Sequence, residues 1–269
     1  MTVPAVLTPP ETVDAAARAQ RFAAMRAGEL GSVHSWELVT AVDGPGTRMT
    51  LFLAGCALRC KFCHNPDTWK MRDGASTSID EVMSRIRRYE NVFTATGGGV
   101  TISGGEPLMQ PAFVGNIFRQ CQELGIHTTL DTSGFLGARA SDEMLADTDL
   151  VLLDIKSGDE ETYRHVTGVK LAPTLDFGRR LSRLRKPVWV RFVLVPGWTD
   201  DYDNVEKVAD YAAGITSVER VEVLPFHQMG RDKWRRLGIT YELEDVEPPS
   251  HEKAEAVREQ FRQRGLTVH

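Results

Sequence analysis

The stretch Arg48-Met49-Thr50-Leu51-Phe52-Leu53-Ala54-Gly55-Cys56-Ala57-Leu58-Arg59-Cys60-Lys61-Phe62-Cys63-His64-Asn65-Pro66 decides the fold. Residues 48–54 form an apolar run of the kind a buried strand needs, and Gly55 turns it into a loop that gathers three cysteines. Runs at 99–103, 127–131, 150–155, 188–195 and 218–224 have the same character, separated by helix-period segments and by Gly, Pro or Asp punctuation. Helices are predicted near 111–124, 174–185, 203–212 and 250–264. Ser78-Ile79-Asp80-Glu81 has capping-box spacing at the start of another, where the Ser hydroxyl and Glu carboxylate can satisfy free N–H groups. This series predicts an α/β fold with parallel strands, a partial (β/α)6 TIM-like barrel, because six units close less completely than eight and leave a lateral opening.

The 269 residues, 42% hydrophobic and 26% charged, are enough to bury a full core. Residues 1–30 read as an N-terminal extension: a disordered lead through Pro9-Pro10, then an Ala-rich helix from Glu11 that Gly28 ends. Residues 31–269 read as one domain. A net charge of -5 offers no basic footprint for nucleic acid, so a protein or small-molecule substrate is expected. No stretch approaches the ~20 apolar residues of a membrane span, and residues 1–30 lack the pattern of a signal peptide, which predicts a cytoplasmic protein without membrane contact. Four cysteines, three of them in one short loop, make a poor disulfide framework for such a chain.

Polar or Gly-rich residues follow nearly every predicted strand: the cysteine loop, Gly104-Gly105-Glu106, Asp131-Thr132, Asp154 and Lys156, Pro196-Gly197, and 225–227. In parallel α/β folds ligands bind at that end, so a single site built from six strand ends is expected. In Cys56-x3-Cys60-x2-Cys63 the sulfurs can wrap one face of an iron–sulfur cubane, with the fourth iron open to an exogenous ligand. Cys121 falls inside a predicted helix and reads as a small buried hydrophobe. Two other readings stay open at this level. A structural zinc ion would recruit His64, although such sites usually use two spaced ligand pairs. Cys60-Lys61-Phe62-Cys63-His64 also matches the attachment pattern of c-type haem, against which stand Cys56 and the lack of an export signal.

The loop 56–63 resembles the CX3CX2C signature of the radical S-adenosylmethionine superfamily. The resemblance continues in family order through 43–46, 55–66, 97–106, Asp131-Thr132, 154–156, 195–198 and 224–227, and is to the pyruvate formate-lyase activating enzymes. It covers about residues 31–265 and leaves the N-terminal extension unexplained. It implies a [4Fe-4S] cluster on Cys56, Cys60 and Cys63, with S-adenosylmethionine held by its amino and carboxylate groups at the unique iron. Reductive cleavage of that cofactor would then lead to hydrogen abstraction from a glycine Cα of pyruvate formate-lyase.

The resemblance also implies roles for single residues. The turn at Gly105 would receive the methionyl amino group. Period-2 alternation points Asp154 and Lys156 to one face and Ile155, counted with them at the cofactor, to the other. Phe62, Cys63, His64 and His227 would surround the adenosyl part, Phe62 by contact with the adenine. Asp131, Thr132 and Asp154 would hold a monovalent cation, a choice that suits hard oxygen ligands. Asp43 is the candidate to hydrogen-bond the substrate peptide, and Arg191, interrupting an apolar strand, is expected to face the lumen with a partner. The implied electron donor is reduced flavodoxin or ferredoxin, and a monomer is expected. No cysteine lies between Cys63 and Gly97, which sets the chain apart from activases with an inserted ferredoxin-like segment. Two rivals remain: an anaerobic ribonucleotide reductase activase, and a non-catalytic iron–sulfur electron-transfer protein.

Overall fold

The computed structural model describes residues 15–40 and 42–269. Eight strands form one sheet: β1 (Leu30–Thr40), β2 (Arg48–Leu53), β3 (Ala75–Ser78), β4 (Gly99–Gly104), β5 (His127–Thr132), β6 (Leu150–Asp154), β7 (Val188–Leu194) and β8 (Val218–Pro225), in the order β3-β1-β2-β4-β5-β6-β7-β8. The six runs expected from the sequence are β2 and β4 to β8, and every neighbour pair among them is parallel. Helices cross between them, including Pro111–Glu123, Ala172–Arg183 and Tyr202–Ala213, so the partial (β/α)6 barrel is the observed architecture. Among the described residues no pairing joins β8 back to β1 or β3, and the barrel stays open along that side. Residues 267–269 pair instead with the outer edge of β8.

The antiparallel strands β1 and β3 were not expected from the sequence. β3 has only four residues, Ala-Ser-Thr-Ser, and carries no apolar pattern, so its only signal is the partner it finds in β1. That pairing also alters the predicted capping box. Ser78 ends β3 opposite Leu30, its hydroxyl accepts from the Glu81 N–H at 3.2 Å, and the Glu81 carboxylate turns to Arg85 instead of reaching back. Helix Ala15–Ala27 precedes β1 and ends at Gly28, whose φ of +73° only glycine adopts freely. The predicted lead and the start of that helix, residues 1–14, lie outside the described residues. Among the described residues no helix is long and apolar enough to cross a membrane.

Period-2 alternation sorts the parallel strands into two faces. Leu51, Ile102, Leu130, Leu153, Val190 and Val223 point outward into the main core beneath the helices. Thr50, Thr101, Thr129, Asp154, Arg191 and Glu222 alternate with them and point inward. Register sets Asp154 beside Arg191 and Arg191 beside Glu222 on adjoining strands. The lumen is therefore polar. Fully buried Arg48 lies among it, donating to Thr101 Oγ1 (2.7 Å), Thr129 Oγ1 (2.8 Å) and the carbonyls of Pro45 and Val100. Burial among mostly neutral acceptors lowers its pKa to about 10.

The loop after β6 is held from below by buried Asn204. Its Oδ1 accepts from Ser157 Oγ (2.6 Å), Gly158 N (2.9 Å) and Asp159 N (3.1 Å), while its Nδ2 donates to the Thr199 carbonyl (2.7 Å). Asn204→Ala strands these groups and should lower unfolding free energy by about 2–4 kcal/mol, read as a reduced urea midpoint at unchanged slope. Asp159 caps helix Glu160–Thr167 through the N–H groups of Glu161 and Thr162. The bond from Lys207, then the cap, depresses its pKa to about 2. A depressed carboxylate stabilises the fold above its unfolded pKa, and that contribution fades as pH falls. Asp159→Asn should thus destabilise at pH 7 and by the same amount at pH 5, with the difference closing between pH ~4 and ~2 in urea titrations.

Candidate active site

A cavity of about 470 Å³ opens at the carboxyl ends of the parallel strands. Each parallel strand or the loop after it contributes to its wall, among them Phe52, Ser103, Asp131, Asp154, Arg191 and Leu224, as expected for ligand binding in such sheets. The cysteine loop closes one side. Its path is fixed by backbone bonds: Gly55 N to Thr68 O (2.7 Å), Cys56 N to Trp69 O (3.1 Å), Arg59 N to Thr167 O (2.7 Å) and Lys61 N to Val166 O (2.9 Å). Cys56, Cys60 and Cys63 all line the cavity, whereas Cys121 is buried in helix Pro111–Glu123 as part of the main core, as its sequence context predicts.

Burial raises the thiol pKa of all three loop cysteines, Cys56 to about 12, so bound iron would have to take the place of their protons. Among the described residues no group of three His, Cys, Asp or Glu side chains converges on one point as ligands of a single ion do. A cubane takes one thiolate per iron, so its ligands need not converge; the three soft sulfurs fit a cluster better than zinc.

Gly104-Gly105 meets a constraint different from the one its sequence suggests. A Cβ on Gly105 would lie 2.4 Å from the Gly55 carbonyl, and Gly104 has φ +123° with Leu53 N in the way. The glycines are required by the approach of the cysteine loop rather than of a ligand. The N–H groups of Gly105 and Glu106 are taken by Leu53 O and Gly55 O, both at 2.8 Å. What Gly105 can offer the cavity is a carbonyl acceptor, which suits an ammonium group. The buried Glu106 carboxylate turns away, accepting from Thr132 Oγ1 (2.6 Å), Ser133 Oγ (2.5 Å), Ser133 N and Leu108 N.

Asp154 and Lys156 both face the cavity, paired at 2.7 Å, with the Lys156 ammonium 5.8 Å from the Phe62 ring centroid. Burial opposes the Lys156 charge, but Asp154 and Cys60 outweigh it and raise its pKa. Arg191 has the partners that the sequence could not name: Glu222 at 3.0 Å, and Asp131 and Asp43 each at 3.4 Å. Burial raises the Asp131 pKa to about 6 against the pull of Arg191. The His64 and His227 rings meet at a tilt of 33° with centroids 4.2 Å apart, and burial lowers the His64 pKa to about 4.

Two sequence assignments change. Ile155 points into the main core and only its backbone passes the site, donating to Arg191 O. Thr132 alternates with Asp131, so its hydroxyl meets Glu106 behind the cavity and not a cation within it. Ser103, Ser133, Trp69 and Glu222 were missed. Ser103 and Glu222 lie on the inward face by the same alternation that places Asp131 and Arg191, a signal the sequence did contain. Four buried side-chain polar atoms lack a partner among the described residues, and two of them, Asp131 Oδ1 and His227 Nδ1, belong to residues of this cavity. Such orphans are costly unless a bound group satisfies them.

The Radical SAM superfamily pattern matches residues 50–211. Over 233 residues the chain is 46% identical to the pyruvate formate-lyase-activating enzyme of Staphylococcus aureus (strain USA300), covering 84% of this chain and 93% of that protein. The chain belongs to the pyruvate formate-lyase-activating enzyme family. It is a radical S-adenosylmethionine enzyme, and the cofactors of its kind are a [4Fe-4S] cluster and S-adenosylmethionine. A solved domain of pyruvate-formate lyase-activating enzyme from Bacteroides vulgatus is similar with a TM-score of 0.53 at 26% identity, covering 64% of this chain and 98% of that one. A radical SAM methyltransferase from Sphaerobacter thermophilus shares the fold, with a TM-score of 0.60 at 17% identity over 96% of this chain and 81% of its own.

The Asp154–Lys156 pair gives a direct test. Lys156→Ala should weaken S-adenosylmethionine binding by about 1.5–3 kcal/mol, the size of a desolvated charged hydrogen bond. Lys253→Ala, at an exposed ion pair with Asp200, should change it by less than about 0.5 kcal/mol. Equal affinities by titration calorimetry would remove Lys156 from the site.

Proposed function

We propose that this chain activates pyruvate formate-lyase by generating a radical on one of its glycines, using a [4Fe-4S] cluster held by Cys56, Cys60 and Cys63 beside S-adenosylmethionine. The observation that carries this reading is the opening of all three loop cysteines onto one cavity that also holds the Asp154–Lys156 pair and two unsatisfied polar residues. When bound, the cluster and S-adenosylmethionine supply one-electron cleavage of the sulfonium and hydrogen abstraction from a glycine Cα. The protein's own residues bind, orient and exclude.

Lys156 would pair with the methionyl carboxylate of the cofactor, and the Gly105 carbonyl would accept from its ammonium. Phe62, His64 and His227 would enclose the adenosyl group, His227 with its unpaired Nδ1. Asp131 Oδ1 and Asp154 remain the oxygen ligands available to a monovalent cation, without the Thr132 side chain. Asp43 is held from two sides, by Thr50 Oγ1 at 3.1 Å and by Arg191, and so meets an entering peptide as a fixed acceptor at the cavity wall. No group is placed as a general acid or base, and hydrogen abstraction needs none.

The electron comes from reduced flavodoxin or ferredoxin in the cytoplasm, where thiols stay reduced, and the chain acts as a monomer. A ribonucleotide reductase activase would share the cluster loop but not the resemblance over 93% of an activase specific by name for pyruvate formate-lyase. An electron-transfer protein would have no use for the charged pair beside the cysteines.

Reconstituted protein reduced with S-adenosylmethionine and pyruvate formate-lyase should yield a glycyl radical and stoichiometric 5′-deoxyadenosine. Alanine at Cys56, Cys60 or Cys63 should abolish both cluster assembly and cofactor cleavage, while Cys121→Ala retains them. Cofactor cleavage on a small metabolite, with no radical on any such protein, would overturn the activase reading and keep the radical chemistry.

A further inference from the structure

The cysteine loop is covered from outside by a part of the chain that lies beyond the superfamily match, which ends at residue 211. Helix Arg231–Arg236 and the turn after it pack over Cys63. The Trp234 indole N–H donates to the Cys63 carbonyl at 2.8 Å, and its ring stands edge-on to Trp69 at 5.1 Å and against Tyr241 at 5.2 Å. Gly230 sits so close that a Cβ there would come within 2.8 Å of His64 Cα. Lys233 Nζ donates to Asn65 Oδ1 (2.7 Å) and meets Asp67 (3.1 Å), while Gln228 Nε2 holds the carbonyls of Leu243, Glu244 and Val246. Trp234, only 4% exposed, belongs with Tyr241, Leu243, Phe226 and Phe62 to a second apolar cluster, separate from the main core, on which Cys63 and Trp69 rest.

We propose that Trp234 is a positioning residue for the iron–sulfur cluster: its ring shields the Cys63 side from water and so sets how firmly the cluster is held and how readily it is reduced. The inference rests on Cys63 being a cluster ligand. Reduction adds negative charge, so a dry environment at a ligand disfavours the reduced form, and water admitted there favours it; burial and hydrogen bonding around the sulfurs are what tune such clusters. The Arg59 guanidinium, 4.9 Å from the Trp69 ring centroid, closes the outer side of the neighbouring indole. Trp234 covers Cys63 from the side of helix Arg231–Arg236.

The test uses the full chain, anaerobically reconstituted and without substrate. Three readouts are taken: iron content, the rate of iron release to a chelator, and the midpoint potential from a titration followed by spin resonance. Trp234→Phe keeps a ring and loses the N–H; Trp234→Leu loses the ring. The Leu variant should release iron about ten- to a hundredfold faster. Its reduction equilibrium should move about tenfold toward the reduced form, about 59 mV upward for one electron. The Phe variant should stay within about threefold of the parent on both. Wild-type release and potential in a Leu variant with an unchanged circular-dichroism melt would overturn the proposal, and so would a Phe variant as impaired as Leu. If Trp234→Leu does not fold, Tyr241→Leu, which removes the ring behind Trp234, should show the same faster release and upward shift, and parental values there overturn the proposal. Full iron content in Cys63→Ala would instead defeat the ligand assignment, an outcome read independently of Trp234.

Discussion

The site depends on one backbone junction. Past the ends of β2 and β4 the two chains continue to pair, Gly105 N to Leu53 O and Glu106 N to Gly55 O, and Gly55 N returns to Thr68 O. This places the first cysteine immediately beside the turn at Gly105. The approach is too close for any side chain, since a Cβ on Gly104 or Gly105 would overlap backbone of the 53–55 segment. These are backbone bonds to the strand ends, so the cysteine loop takes its position from the sheet itself.

From that junction the charges follow by register. Strand alternation brings Asp154, Arg191 and Glu222 side by side, and Arg191 reaches Asp43 and Asp131 across the lumen. Four carboxylates thus share the lumen with Arg48, Arg191, Lys156 and Arg220. Removing one member would leave a buried charge alone, which costs far more than the pair contributes to stability.

Much of this was legible in the sequence because it rests on local rules. The six parallel strands follow from apolar runs, the inward position of Asp154 and Lys156 from alternation, and the three loop cysteines from spacing. What was not legible depends on partners distant in the chain. β3 exists because β1 pairs with it, and the half-formed cap at Ser78 follows from that pairing. The same rule that placed Asp154 inward should have excluded Thr132, which alternates with Asp131; a resemblance of motif outweighed it there. Gly105 lines the cavity, but what forbids its side chain is the loop carbonyl of Gly55 and not an approaching ligand. Trp234 carried no signal at all, as nothing in a single indole 171 positions from Cys63 announces a contact.

The two apolar clusters divide the molecule into parts with different dependence on the cofactor. The main core lies between the sheet and its helices and contains neither a loop cysteine nor Phe62. The second cluster sits above the strand ends and includes Phe62, with Cys63 and Trp69 packed against it, so its integrity and that of the cysteine loop are one matter. Metal binding is coupled to order where the ligands are part of what must be ordered. A cluster held by Cys56, Cys60 and Cys63 would therefore bear on the order of the loop and of the residues packed over it, and not on the main core, which contains none of the three.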